Sequence, residues 1–297
     1  MVNTPSATPP AEINLDVPLV RALLQQQHPD LAGHPLTPAE SGWDNALYRL
    51  GTTLAVRLPR RQLAANFILH EQACLPQLAG RLPLPIPAPV RLGKPGVGYP
   101  WHWSVVPWLE GTAADLMRPA DTQAQPLAEF LRALHTPAPD SVPGSQFRGI
   151  PLRQRAPITE ERIRHFATVR GPLAPGLQRI WEDALAAEES HVRNWLHGDL
   201  HSRNVLCVDG RISGIIDWGD VGAGDCATDL AAIWMLLDSA AARERAMTLY
   251  DTDAASWARG RGWVLALGVL LAGMDDPAEE RYRAIGDTAL RNLLDGP

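Results

Sequence analysis

Trp195-Leu-His-Gly-Asp-Leu-His-Ser-Arg-Asn204, followed by Ile215-Ile-Asp-Trp-Gly219, decides how this 297-residue chain is read. An Asp, an Asn and a second Asp stand at 199, 204 and 217. Between the last two, Val205-Leu-Cys-Val208 and Arg211 to Ile216 flank Asp209-Gly210, a strong hairpin signal. All three residues are hard oxygen donors. A carboxamide and a carboxylate bracketing a hairpin suit a divalent cation such as Mg²⁺. A carboxylate just upstream suits acceptance of a hydroxyl proton.

The same order of base Asp, metal-binding Asn and metal-binding Asp is used by protein kinases. Here it reads His197-Gly-Asp199 instead of His-Arg-Asp, and Asp217-Trp-Gly219 instead of Asp-Phe-Gly. Gly224-Asp-Cys-Ala-Thr-Asp-Leu-Ala231 follows. From Ser41-Gly-Trp-Asp-Asn45 to about Leu237 the chain resembles the aminoglycoside phosphotransferase family, small-molecule relatives of the protein kinases. The resemblance implies a bilobal, protein-kinase-like α+β fold. Residues 1–110 would form a small antiparallel-sheet, nucleotide-binding lobe, and residues 111–297 a mostly helical catalytic and acceptor-binding lobe. It further implies Asp199 as base, Asn204 and Asp217 as Mg²⁺ ligands, and ATP or GTP as phosphoryl donor. A small-molecule hydroxyl would be the acceptor, with an aminoglycoside or macrolide as the family's examples.

Composition agrees with an enzyme of this size. Hydrophobic residues make up 45% and charged residues 20%, which describes a globular chain with a core. The net charge of −6, without a basic run, argues against a nucleic-acid partner. The apolar run Trp263 to Met274 is too short to cross a bilayer and reads as a buried helix. No signal-peptide pattern opens the sequence, and Cys74, Cys207 and Cys226 form no close pair. The expectation is a cytoplasmic monomer or homodimer with free thiols.

Ala46–Leu50 and Thr53–Leu58 read as strands around Gly51-Thr52, with Ala55 and Arg57 on one face and Leu54, Val56 and Leu58 on the other. Phe67–Leu78 reads as a helix carrying Glu71. Trp101–Trp108 reads as a strand ending at Leu109-Glu-Gly111. Leu127, Phe130, Leu131 and Leu134 fit an amphipathic helix, and Leu230, Ile233, Trp234 and Leu237 fit another. Residues 140–176, rich in Pro and Arg, give no periodicity.

Arg57 occupies the place of the kinase strand Lys, with Glu71 as its partner, and would contact the nucleotide phosphates. Main-chain groups of Trp108 and Glu110, in a hinge over Pro107–Gly111, would hold the base; Pro107 has no N–H to give. Ser41-Gly-Trp-Asp-Asn45 takes the position of a phosphate-covering loop, though without its glycine pattern. His197 is expected to hold the loop by hydrogen bonds, and Asp225 and Asp229 to brace it. His201 and Asp220 are candidates for acceptor contact. So are Asp275, Asp276, Glu279 and Glu280, which would favour a cationic acceptor. The same acids, with Asp276-Pro277, equally mark a helix start.

Two other classes fit parts of the sequence. A nucleotide-binding protein without transfer activity would share the metal residues. His197-x-Asp199-x-His201 suits a Zn²⁺ metallohydrolase, but that reading leaves Asn204 and Asp217 unused.

Overall fold

The computed structural model describes residues 10–39 and 42–296. The chain divides into two compact units: one of residues 1–80 and 85–109, the other of residues 81–84 and 110–297.

The first unit opens with α1 (Val17–Gln27), capped by Asp16, whose side chain accepts from Leu19 N. The strands β1 (Leu36–Pro38), β2 (Asn45–Leu50) and β3 (Leu54–Pro59) follow. Helix α2 (Gln62–Leu78) begins five residues ahead of the Phe67 expected from periodicity and carries Pro76 inside. Then come β4 (Arg91–Gly93), an edge strand too short to read from sequence, and β5 (Trp103–Pro107). They form one antiparallel sheet in the order β1-β2-β3-β5-β4. Central β3 is covered on both faces, so Ala55 to Leu58 are all buried. Val56 and Leu58 join Val20, Leu23 and Leu24 of α1 in one core. The opposite face presents Arg57 to α2.

In the second unit, β6 (Thr112–Ala113), α3 (Ala124–Leu134), α4 (Leu152–Arg170) and α5 (Pro175–Ala186) lead to β7 (Asn194–Leu196). The hairpin β8 (Val205–Val208) and β9 (Arg211–Ile215) turns at Asp209 and Gly210, with φ of 49° and 73°. Two successive left-handed residues make the turn that matches strand twist, which is why Asp-Gly is favoured there. β10 (Gly222–Gly224) pairs with β7. Five helices complete the unit: α6 (Ala227–Leu230), α7 (Ala232–Leu236), α8 (Ala240–Tyr250), α9 (Ala254–Ala272) and α10 (Glu280–Leu294). The single helix expected around Leu230–Leu237 is therefore broken at Ala231. α9 buries Trp263 through Val269, and α4, α5, α6 and α10 pack against it, while α3 packs on α8. Among the described residues no helix is long and apolar enough to cross a membrane.

Candidate active site

The loop between β7 and β8 holds the site, and three sets of bonds fix it. His197, fully buried, points Nε2 at the Ile216 carbonyl, 2.9 Å away, and its Nδ1 accepts the Asp199 N–H at 3.2 Å. Asn204 Nδ2 donates to the Asp199 carbonyl at 2.8 Å, and Ile216 N donates to the Asn204 carbonyl at 2.8 Å. Asp229, with no exposed surface, accepts from His197 N at 2.7 Å and Gly198 N at 2.9 Å. Asp225 forms a buried pair with Arg259 at 2.6 Å and accepts from Ala227 N at 3.1 Å. His197 holds the loop and Asp229 braces it, whereas the Asp225 carboxylate joins α9 to the start of α6 and makes no bond to the loop. Gly198 has φ of 87°, and a Cβ there would lie 2.7 Å from the Asp220 carbonyl, so the loop needs glycine for both reasons.

These bonds place Asp199, Asn204 and Asp217 together. Ile216, bonded to both His197 and Asn204, carries Asp217 next to them in the chain. Asp217 itself has φ of 60°, a left-handed position uncommon outside glycine. The kink buries Trp218 completely, against His197 at a ring distance of 4.6 Å, and leaves Asp217 exposed. Backbone strain of this kind costs about 1–3 kcal/mol and concentrates at functional sites.

The donor set fits Mg²⁺. Asn204 is oriented through its amide nitrogen, which leaves its oxygen as the ligand, and Asp217 offers an exposed carboxylate. Hard oxygens in this number, completed by phosphate oxygens, are what Mg²⁺ takes. The Zn²⁺ reading fails on geometry. His197 directs both ring nitrogens to main-chain groups, so His197-x-Asp199-x-His201 does not converge. Among the described residues no three His, Cys, Asp or Glu side chains converge on a metal position.

Asp199 has a partner that the sequence reading did not find. Arg148, from the loop before α4, donates Nη2 to Asp199 Oδ1 at 2.6 Å, and its Nε lies 3.9 Å from Asp220 Oδ2. His201 Nε2 lies 3.4 Å from Asp199 Oδ2, while its Nδ1 accepts from Arg203 N. The His201 ring meets Tyr282 of α10 edge-on, and Arg203 stacks over the Tyr282 ring at 4.3 Å. Burial alone would raise the Asp199 carboxyl, but Arg148 and His201 outweigh it and hold it well below the ordinary carboxylate range. Asp220 moves the other way: burial and the Asp199 charge raise it against the pull of Arg148.

The remaining candidates are dispersed. Arg57 and Glu71 form a buried ion pair at 2.6 Å in the first unit, with side chains 10% and 1% exposed. Trp108 N–H donates to the Thr53 carbonyl at 2.8 Å. Glu110 is exposed, and its carbonyl accepts from Ser213 Oγ at 2.7 Å. Ser41 lies outside the described residues. Asp276 caps a short 3₁₀ turn (Pro277–Glu279) by accepting from Ala278 N, Glu279 and Glu280 open α10, and Asp275 stands 3.3 Å from His165. That segment is a capped helix start, as Asp276-Pro277 indicated.

An antiparallel sheet unit, a mostly helical unit, and two carboxylates and a carboxamide around a hairpin define a kinase-like phosphotransferase fold. By sequence, the model of the Phosphotransferase enzyme family matches residues 35–263, and the chain belongs to that family. It is 60% identical to viomycin phosphotransferase of Streptomyces vinaceus over 42 residues, 13% of this chain and 15% of the relative. It is 30% identical to hygromycin-B 4-O-kinase of Escherichia coli over 118 residues, 38% of this chain and 35% of that one. The matches thus span well under half of these relatives. In structure it resembles wild-type aminoglycoside 2′-phosphotransferase-IIIa in its GDP complex. That likeness has a TM-score of 0.67 at 19% identity and covers 92% of this chain and 98% of the other.

Proposed function

We propose that this protein transfers the γ-phosphoryl group of ATP or GTP to a hydroxyl of a small molecule. The observation that carries the reading is the bonded frame joining Asp199, Asn204 and Asp217 through His197 and Ile216. The named activities of the relatives, on viomycin and hygromycin B, support a hydroxylated antibiotic as acceptor.

Asp199 Oδ1 is held by Arg148, so Oδ2 receives the acceptor hydroxyl. Its low proton affinity makes it an orienting group first. It takes the proton only as the acceptor oxygen bonds to the γ-phosphorus and the hydroxyl turns acidic, which suits a loose transition state. The bridging oxygen departs with the nucleoside diphosphate. Asn204 and Asp217 would hold Mg²⁺, which supplies charge neutralisation at the phosphates. Arg57, fixed by Glu71, adds a bidentate cation for those phosphates in the nucleotide-binding part, residues 1–110. Residues 111–297 supply base and acceptor site. The relative known as a GDP complex supports a purine nucleotide as donor.

The test is acceptor-dependent release of ADP or GDP across a panel of hydroxylated antibiotics and metabolites, with the product identified by mass. Nucleotide that binds without any alcohol-dependent turnover would instead support a binding protein.

A further inference from the structure

α4 turns an unusual face inward. Its buried positions are Leu152, Arg155 and Thr159, and Arg162, half-buried, continues the same stripe at helical spacing. Arg155 is 3% exposed and Thr159 fully buried. Beside this stripe stands Arg148, which reaches Asp199 from the preceding loop.

Few of these donors are matched. Arg155 Nη1 donates to the Phe147 carbonyl at 2.8 Å, and its guanidinium lies over the Trp263 ring at 5.1 Å. Its Nε has no acceptor among the described residues. Neither do Arg148 Nη1, Arg162 Nη1 and Thr159 Oγ1, though all four atoms are buried. Burial lowers the Arg155 guanidinium to about 10, with Arg148 and Arg162 adding repulsion; Asp199 and Asp220 oppose this. Arg162 is lowered by burial and by Arg148, against Glu161. Three guanidiniums thus crowd together, opposed by Asp199 and Asp220 and, at Arg162, by the exposed Glu161. Burying like charges with unmatched donors is costly in free energy, and packing alone calls for an apolar residue at 155 or 159.

We infer that Arg148, Arg155, Thr159 and Arg162 form an oxyanion subsite beside Asp199, which takes a carboxylate or phosphate group carried by the acceptor alcohol. The subsite rests on the phosphotransfer reading for its place in the reaction, and it names the acceptor class: a hydroxylated acid instead of a polycation. Guanidinium forks match either oxyanion bidentately, and the anion would supply the missing acceptors. Arg148 then has two tasks, one nitrogen holding the base and another holding the substrate.

Titration calorimetry of the nucleotide-free full chain, at constant ionic strength, tests this with sodium gluconate, glucose 6-phosphate and uncharged sorbitol. One of the two anions is expected to bind one to one, at least about tenfold tighter than sorbitol; which one identifies the group. Arg162→Gln and Thr159→Val are each expected to weaken it about tenfold, as loss of one hydrogen bond to a charged group does. Arg155→Gln should weaken it more, but its burial puts folding at risk, so half-buried Arg162 carries the test. Circular dichroism verifies that each variant is folded. Sorbitol binding as tightly as the anions, or a folded Arg162→Gln protein identical to wild type, would overturn the subsite. Turnover confined to cationic acceptors would also overturn it and leave phosphotransfer standing. Anion binding that depends on Arg162, without turnover of any alcohol, would support the subsite and sink the phosphotransfer reading.

Discussion

His197 and Asp229 meet through the main chain: the His197 N–H, like that of Gly198, donates to a carboxylate with no exposed surface. Burial pushes that carboxyl up, but His135, and then His197 through its ring and its N–H, outweigh it and hold it below its usual range. The bond pair ties the start of the catalytic loop to α6, so the loop's position depends on one buried charge.

Asp229→Asn keeps the shape and removes the charge. It is expected to cost about 2 kcal/mol at neutral pH, the value of hydrogen bonds to a charged group. The folded carboxyl titrates below the unfolded value of about 4, so its stabilisation is complete above pH about 4 and is lost as pH falls further. Urea unfolding from pH 7 down to pH 3 should show the gap between the two proteins closing in the acid. A constant gap would argue against a charged Asp229.

Asp199→Asn should lower kcat by about a hundredfold or more, as loss of a positioned base does. Nucleotide affinity should stay near wild type. Rapid-quench turnover together with a nucleotide titration separates the two, and half-retained activity would remove Asp199 from the mechanism.

Asp217→Ala is expected to abolish the dependence of nucleotide affinity on Mg²⁺. Titrating nucleotide into wild type with and without EDTA gives the reference. If wild type itself binds equally under both conditions, Asn204 and Asp217 hold no metal.

Arg57→Ala should raise the KM for nucleotide and leave that for the acceptor unchanged. It should also lower stability by about 3–5 kcal/mol, because it removes the 2.6 Å cation from a carboxylate only 1% exposed. Arg57→Lys should recover part of the nucleotide affinity. A double change, Arg57→Met with Glu71→Leu, should regain stability without regaining affinity.

Arg148→Gln is expected to reduce kcat/KM for the acceptor by about tenfold to a hundredfold, since one charge-assisted bond to Asp199 is lost. Steady-state kinetics with each substrate varied in turn should leave the nucleotide KM unmoved. Equal effects on both substrates would mean that the loop, and not the guanidinium, has been disturbed.

The catalytic loop was legible because its chemistry is local in sequence: His197, Asp199, Asn204 and Asp217 fall within one loop and hairpin, with an Asp-Gly turn to set the register. Arg57 and Glu71 were legible because a strand and the following helix bring them together with little freedom. α4 was not, and the reason is its buried face. Arg155, Thr159 and Arg162 sit where a helix ordinarily shows Leu or Val, and Pro157 interrupts the pattern. Arg155 and Arg162, seven positions apart, were the available signal. Tyr282 and Arg148 reach the loop from distant segments, which no local pattern reports. The Trp108 N–H bond to the Thr53 carbonyl, at the end of the sheet, was likewise not legible from a local pattern.

The segment carrying Arg148 touches β10 without side chains between. Gly149 has φ of 64°, and a Cβ on Gly224 would fall 2.5 Å from the Gly149 carbonyl oxygen. Asp225 N donates to that carbonyl, and Gly149 N donates to Thr228 Oγ1. Asp199 and Arg148 are therefore mounted on the same strand pair, like two jaws cut from one block. Neither can be shifted by reshaping a loop while the other stays. Substitution at 148, 155, 159 or 162 alters the proposed subsite and leaves these main-chain bonds in place, whereas an insertion beside Gly149 breaks them.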